Sequence, residues 1–86
     1  MSLIGQIDRY LKMGIGNYDC QEICTLCYGH SDKVVMEVID YLFHARQKHD
    51  TLSILTYLYT ESSTMSDNIS SYLKDTIEKM FAESND

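Results

Sequence analysis

The chain has 86 residues, with 13 acidic side chains against 7 Lys and Arg, and a net charge of −6. A chain of this length supports one hydrophobic core, so we expect a single helical domain over residues 1–86. The negative charge disfavours binding to nucleic acids and to anionic membranes, because both are themselves negatively charged. No run approaches the roughly 20 apolar residues that span a bilayer, and the start lacks the pattern of a secretory signal. A cytoplasmic protein is therefore predicted.

The first predicted helix lies near the N-terminus. Its apolar side chains have the spacing of one helical face and are Leu3, Ile7, Tyr10 and Leu11. Gly14 and Gly16 follow this stripe, and glycine commonly ends a helix because it adopts the left-handed conformation without strain. The sequence therefore predicts a short amphipathic helix that stops at these glycines.

The second predicted helix begins at Asp19. Its carboxylate can cap the helix while Glu22 reaches back from three residues later, as in a capping box. One face of this helix carries Cys20, Ile23, Cys24 and Cys27. Gly29 follows as a left-handed stop.

The third predicted helix combines a cap, an apolar stripe and a cationic end. Ser31 is the expected N-cap, and Asp32 lies in the first turn, where the helix dipole favours a negative charge. The stripe consists of Val35, Val38, Ile39, Leu42 and Phe43. The last turn is expected to hold cations, which the dipole favours there: Arg46, Lys48 and His49.

The segment 51–60 (TLSILTYLYT) suits either a strand or a helix, because it is rich in β-branched and aromatic residues. A lone strand would have no partner in this chain, and Asp50 can cap a helix. We therefore predict a central helix that is apolar nearly all round. The polar stretch 61–67 is expected to be a loop.

The last predicted helix follows Ser66 as its N-cap and frays from Glu83 onward. Its stripe consists of Ile69, Tyr72, Leu73, Ile77, Met80 and Phe81. Together the segments predict an all-α fold, a compact antiparallel bundle of four or five short helices.

The run from Cys20 to His30 contains the candidate metal ligands. Cys20, Cys24, Cys27 and His30 are residue types that bind zinc or iron–sulfur clusters. The cysteines also form one stripe of a helix, and free cysteine is among the most buried residue types. We therefore predict core thiols, no metal and no cofactor, with a metal or iron–sulfur binding protein as the alternative.

No catalytic residue is predicted. Asp40 and His44 are four residues apart on one helix, but such pairs are common on helix surfaces, and no nucleophile can be placed beside them. We therefore do not expect an enzyme.

Seven tyrosines are the other departure from average composition. Tyrosine supplies a large apolar ring with a polar tip, which suits both the rim of a core and a protein interface. The residues predicted to form an acidic, aromatic recognition surface are Tyr18, Asp19, Tyr57, Tyr59 and Glu61. The predicted function is a small acidic protein-interaction module, an inhibitor or adaptor like immunity proteins, antitoxins or anti-factors. Its predicted partner is a more basic protein, or a second copy of the chain in a homodimer.

Overall fold

The computed structural model describes residues 2–16 and 18–84. Over these residues the chain forms five α-helices and no strand, which confirms the predicted all-α bundle. The helices are α1 (Leu3–Met13), α2 (Asp19–Cys27), α3 (Asp32–His44), α4 (Lys48–Thr60) and α5 (Asp67–Ser84). Within the described ranges, none of these helices has the length and hydropathy needed to cross a membrane.

The core is built around α4, which packs against α2, α3 and α5. Its buried side chains are each at most 1% exposed and are Thr51, Ile54, Leu55 and Leu58. The Thr51 hydroxyl donates to the Lys48 carbonyl at 3.2 Å, so this polar group is buried with a partner. The opposite side of α4 is exposed at Ser53, Thr56 and Thr60. The segment is thus a central helix as predicted, but it is not apolar nearly all round.

Several predicted helix ends are confirmed. Gly14 and Gly29 both have a φ of 86°, a left-handed conformation that glycine adopts readily. Ser31 caps α3 by accepting a hydrogen bond from the Val34 amide at 3.4 Å. Ser66 caps α5 in the same way, and its hydroxyl also donates to the Asp32 carboxylate at 2.8 Å. The first turns of α3 and α5 are therefore joined at one end of the bundle.

The capping of α2 differs from the prediction. Tyr18 is the N-cap residue, and Asp19 is already the first helical residue. The Asp19 carboxylate accepts from the Gly16 amide at 2.6 Å, and the Glu22 carboxylate accepts from the Tyr10 hydroxyl at 2.6 Å. Both acids therefore bond to the loop or to a neighbouring helix, and the predicted capping box is wrong.

The predicted cationic end of α3 is also wrong, because this helix ends at His44. Arg46 lies in the short connection, while Lys48 and His49 begin α4. Lys48 nevertheless neutralises the end of α3 from outside, since its ammonium donates to the Phe43 carbonyl and lies 5.5 Å from the centre of the Phe43 ring.

The start of α4 is three residues earlier than predicted. Gln47 is its N-cap residue, so Asp50 is not the cap and instead lies inside the first turn. A carboxylate there still interacts favourably with the helix dipole.

The stretch 61–67, which was predicted to be a loop, contains a short helical turn. Ser62–Thr64 forms a 3-10 turn, and the Ser62 side chain is 5% exposed. Its hydroxyl donates to the Tyr59 carbonyl at 2.6 Å and lies 3.0 Å from the Ser70 hydroxyl. The helix α5 then continues to Ser84, so the predicted fraying is wrong for residues 83–84, and residues 85–86 lie outside the described ranges.

Three tyrosine hydroxyls connect pairs of helices through carboxylates. The pairs are Tyr10 with Glu22 between α1 and α2, Tyr41 with Asp8 between α3 and α1, and Tyr72 with Asp40 between α5 and α3. The bond from Tyr41 is the main cause that lowers the pKa of Asp8. Burial, followed by the bond to Asp8, raises the pKa of Tyr41 to about 12. Acidic residues therefore contribute to helix packing as well as to the surface charge.

Replacing Leu55 by alanine should lower the free energy of unfolding by about 2–5 kcal/mol, because a fully buried side chain is lost and a cavity remains. Thr56→Ala is the matched control on the exposed side of the same helix, with an expected change within about 0.5 kcal/mol. Urea unfolding followed by far-UV circular dichroism measures both values. Equal destabilisation by the two substitutions would contradict the assigned faces of α4.

The contribution of Tyr41 to stability should be lost at alkaline pH. Its pKa rises from 10.0 to about 12 on folding, so folding favours the neutral phenol. The contribution is therefore complete below pH 10.0 and disappears as the pH rises through about 12. Urea midpoints of the wild type should fall across this window, and those of Tyr41→Phe should fall less. Tyr59→Phe, outside the three pairs, should follow the wild type; an unchanged fall in Tyr41→Phe would refute the assignment.

Candidate interaction site

The helices α2 and α4 lie side by side and run in the same direction. Where they start, Asp50 is close enough to Cys20 to add to the rise in the pKa of that thiol, after burial and Asp19. Where they end, the Tyr28 hydroxyl lies 2.7 Å from the Thr64 hydroxyl, just beyond α4. Segments that are distant in sequence therefore meet at this end of the bundle.

Two tyrosines and one carboxylate lie together where α2 and α4 end. We call this group the tyrosine–acid cluster; it consists of Tyr28, Tyr57 and Glu61. Tyr57 is half-buried, and burial followed by the nearby Glu61 raises the pKa of its phenol. Tyr28 is 44% exposed, so it presents part of its side chain to solvent. Tyr59 lies two residues from both Tyr57 and Glu61, so it points away from the cluster on α4. The cluster thus offers aromatic surface beside a carboxylate.

The backbone under this cluster is held by local hydrogen bonds. The Glu61 amide donates to the Tyr57 carbonyl at 3.1 Å, and the Thr64 hydroxyl donates to the Glu61 carbonyl at 2.7 Å. The Thr64 hydroxyl also bonds to Tyr28, so it links the end of α2 to the 3-10 turn. These bonds fix the spacing between the members of the cluster before any partner binds.

The charge around the cluster is net negative. Lys33 lies at this end of the bundle, in the first turn of α3, but it is outnumbered by Asp32, Glu61 and Asp67. Neither α2 nor α4 has a basic residue in its last turn. A helix C-terminus carries a partial negative charge that a cation stabilises. The starts of α3 and α5 lie at the same end, and their positive dipole ends are already balanced by Asp32 and Asp67. The ends of α2 and α4 can therefore stabilise a cation supplied by another molecule.

The structure brings together only part of the predicted recognition surface. Tyr57 and Glu61 lie in the cluster, whereas Tyr59 points to the other side of α4. Tyr18 and Asp19 lie at the opposite end of α2. The helix α2 has 9 residues, which corresponds to a separation of about 13 Å. Tyr18 is 74% exposed and faces a different depression, beside α1. The five residues therefore do not form one surface.

Tyr28 is the member of the cluster that the sequence analysis did not select. It follows Cys24 by four residues, so the stripe of the second helix extends to it. Its partner Thr64 is 36 residues away, in a stretch predicted to be a loop. The helical spacing from Cys24 could have pointed to Tyr28. Its position beside Glu61, however, depends on how α2 and α4 pack.

The proposed metal ligands are not gathered into a site. Cys24 and Cys27 are 3% and 2% exposed, Cys20 is half-buried, and His30 is exposed. Across residues 2–16 and 18–84, no three side chains of His, Cys, Asp or Glu are grouped so that they could hold a metal ion. Burial is the main cause that raises the pKa of each thiol, that of Cys27 to about 11. Protonated thiols of this kind pack as small apolar groups.

Comparison with protein-family models, curated proteins and solved structures gives no match to this chain. The interpretation of the cluster therefore rests on its own geometry and charge.

In the native protein, the rate at which each cysteine is modified should increase with the exposure of its side chain. Cys20 should react first with iodoacetamide, and Cys24 and Cys27 at least about tenfold more slowly, because burial excludes the reagent and keeps these thiols protonated. Peptide mapping by mass spectrometry measures the three rates. Denatured protein is the control, in which the rates should converge; a Cys27 rate equal to that of Cys20 in the native protein would contradict the described packing.

Proposed function

We propose that the chain is a small protein-interaction module that binds a more basic protein partner through the tyrosine–acid cluster. The observation that carries this proposal is that two helices end side by side with no basic residue in the last turn of either, next to Glu61, Tyr28 and Tyr57. A Lys or Arg of the partner placed there interacts favourably with the two helix C-termini, with the Glu61 carboxylate and with the faces of the tyrosine rings.

The composition of the cluster supports protein binding rather than capture of a free ion. Tyrosine is enriched among the residues that dominate binding energy at protein interfaces, because its ring buries apolar area while its hydroxyl keeps a hydrogen bond. Tyr28 presents such a ring without unfolding any element, because it is 44% exposed. The cation of the partner supplies charge complementarity, and the rings supply contact area.

The overall charge supports the same kind of partner. A net charge of −6 on 86 residues attracts a basic protein from a distance and raises the rate of association at low ionic strength. The same charge repels other acidic proteins and nucleic acids. Electrostatic steering therefore selects the class of partner, and the cluster provides the contact.

The proposal is tested by capturing the partner from host-cell extract, purifying it and titrating it against variants. Glu61→Gln should weaken binding by roughly three- to tenfold, since one charge of a contact pair is lost. Glu78→Gln is the matched control, because it removes one exposed carboxylate from α5 and leaves the cluster intact. Affinity of the wild type should also fall between low and physiological ionic strength.

Two results would count against this function. Binding that is insensitive to salt would remove the electrostatic basis, and equal effects of Glu61→Gln and Glu78→Gln would remove the cluster as the contact. The activity of the captured partner then separates the two roles: loss of its activity on binding makes the module an inhibitor. Unchanged activity together with recruitment of a third protein makes it an adaptor.

A further inference from the structure

A second surface lies on the α1 side of α2, in the groove between these two antiparallel helices. Its apolar lining is Tyr10, Met13, Tyr18 and Leu26. Met13 is 85% exposed and Tyr18 is 74% exposed, the highest values among the large hydrophobic side chains of the described residues. The bond from Tyr10 to Glu22 closes the floor of the groove. The surface is thus exposed and preformed, and it combines these apolar side chains with polar ones such as Arg9 and Gln21.

The charged side chains that line the groove are of opposite sign, with Arg9 on α1 and Glu22 on α2. Over its full length α1 carries a net charge of +1 and α2 a net charge of −2. The other three helices carry zero or negative net charge over their bounds. A second copy of the chain is repelled by most of the molecule, but α1 of one copy and α2 of another attract each other.

The positions along the two walls match under a two-fold rotation. On α1 the groove is lined at positions 6, 9, 10 and 13, and along α2 from its N-cap at 18, 21, 22, 25 and 26, the spacing of one helical face in each case. Met13 and Tyr18 flank the connecting loop, and Arg9 and Glu22 each lie one turn further from it. A two-fold axis along the groove places α1 of each copy over α2 of the other. Met13 then faces Tyr18 of the second copy, and Arg9 faces its Glu22.

We propose that the groove between α1 and α2 binds a second copy of this chain in a two-fold symmetric dimer. A symmetric contact of this kind uses the same surface on both copies, so each favourable pair occurs twice. Helix-to-helix packing suits the groove, because the backbone groups of both walls are already bonded within their helices and the described chain offers no strand edge.

The size of the surface sets the expected strength. Helices of 11 and 9 residues are about 16 and 13 Å long and each about 10 Å wide. Together the two helices cover about 300 Å² on each copy, or about 600 Å² in total, which is smaller than a standard specific interface. We therefore expect a weak and reversible dimer.

The dimer would leave the tyrosine–acid cluster accessible, because the cluster lies at the far end of α2 and on α4. Two clusters on one dimer would engage a multivalent basic partner more tightly than one cluster does. This inference does not depend on the proposed function, since it concerns a different surface and is measured on the purified chain alone.

The experiment is sedimentation equilibrium of the purified full chain over a wide range of concentration. The wild type should form a concentration-dependent dimer, and Met13→Lys should weaken it by at least about tenfold. Tyr59→Lys is the matched control, with the same new charge on an exposed side chain outside the groove, and should dimerise like the wild type. Circular dichroism confirms that each variant is folded.

A charge exchange tests the register. Arg9→Glu and Glu22→Arg should each weaken self-association, because like charges then face each other twice. An equimolar mixture should form a heterodimer more tightly than either variant associates with itself. A wild type that remains monomeric at all concentrations overturns the proposal. Equal effects of Met13→Lys and Tyr59→Lys, or a mixture that fails to associate, also overturn the assigned surface and register.

Discussion

Burial of one side of α4 is the constraint on which the rest of the structure depends. Thr51, Ile54, Leu55 and Leu58 lose essentially all contact with water, and they do so against three different helices. A chain this small has few other ways to remove apolar area from water, so the positions of α2, α3 and α5 follow from the need to cover α4. The polar side of α4 remains exposed, because residues 2–16 and 18–84 form no further helix that covers it.

The acidic composition is compatible with this packing because several carboxylates serve as hydrogen-bond acceptors between helices. The three tyrosine–carboxylate pairs join α1 to α2, α1 to α3 and α3 to α5. Each pair lies at the rim of the core, where the ring packs against apolar groups and the hydroxyl reaches a charged acceptor. These carboxylates therefore hold neighbouring helices together through hydrogen bonds. The remaining carboxylates determine the negative potential of the surface.

The position of α2 between α1 and α4 explains why the molecule has two distinct exposed surfaces. Its side facing α4 carries the buried thiols and ends at Tyr28, next to the end of α4. Its side facing α1 carries Glu22 and Leu26 and borders the groove. One short helix therefore contributes to a negatively charged tyrosine surface at one end and to an apolar groove along its other side. This division separates contact with a basic partner from contact with a second copy.

The sequence by itself determined the fold class, the buried stripes of the helices and the stops at Gly14 and Gly29, because these depend on local periodicity and on the backbone freedom of glycine. It also placed the N-caps Ser31 and Ser66 correctly, since a cap is a contact across three residues. Tertiary structure decided the hydrogen-bond partners of Asp19 and Glu22, whose side chains bond outside the helix that each was expected to cap. It also decided that Lys48 reaches the end of α3 from the first turn of α4. It likewise decided that Tyr28 joins Tyr57 and Glu61 while Tyr18 and Tyr59 lie elsewhere. Contacts between segments tens of residues apart have no periodic signal in the sequence, because they arise only when the helices cover a shared core.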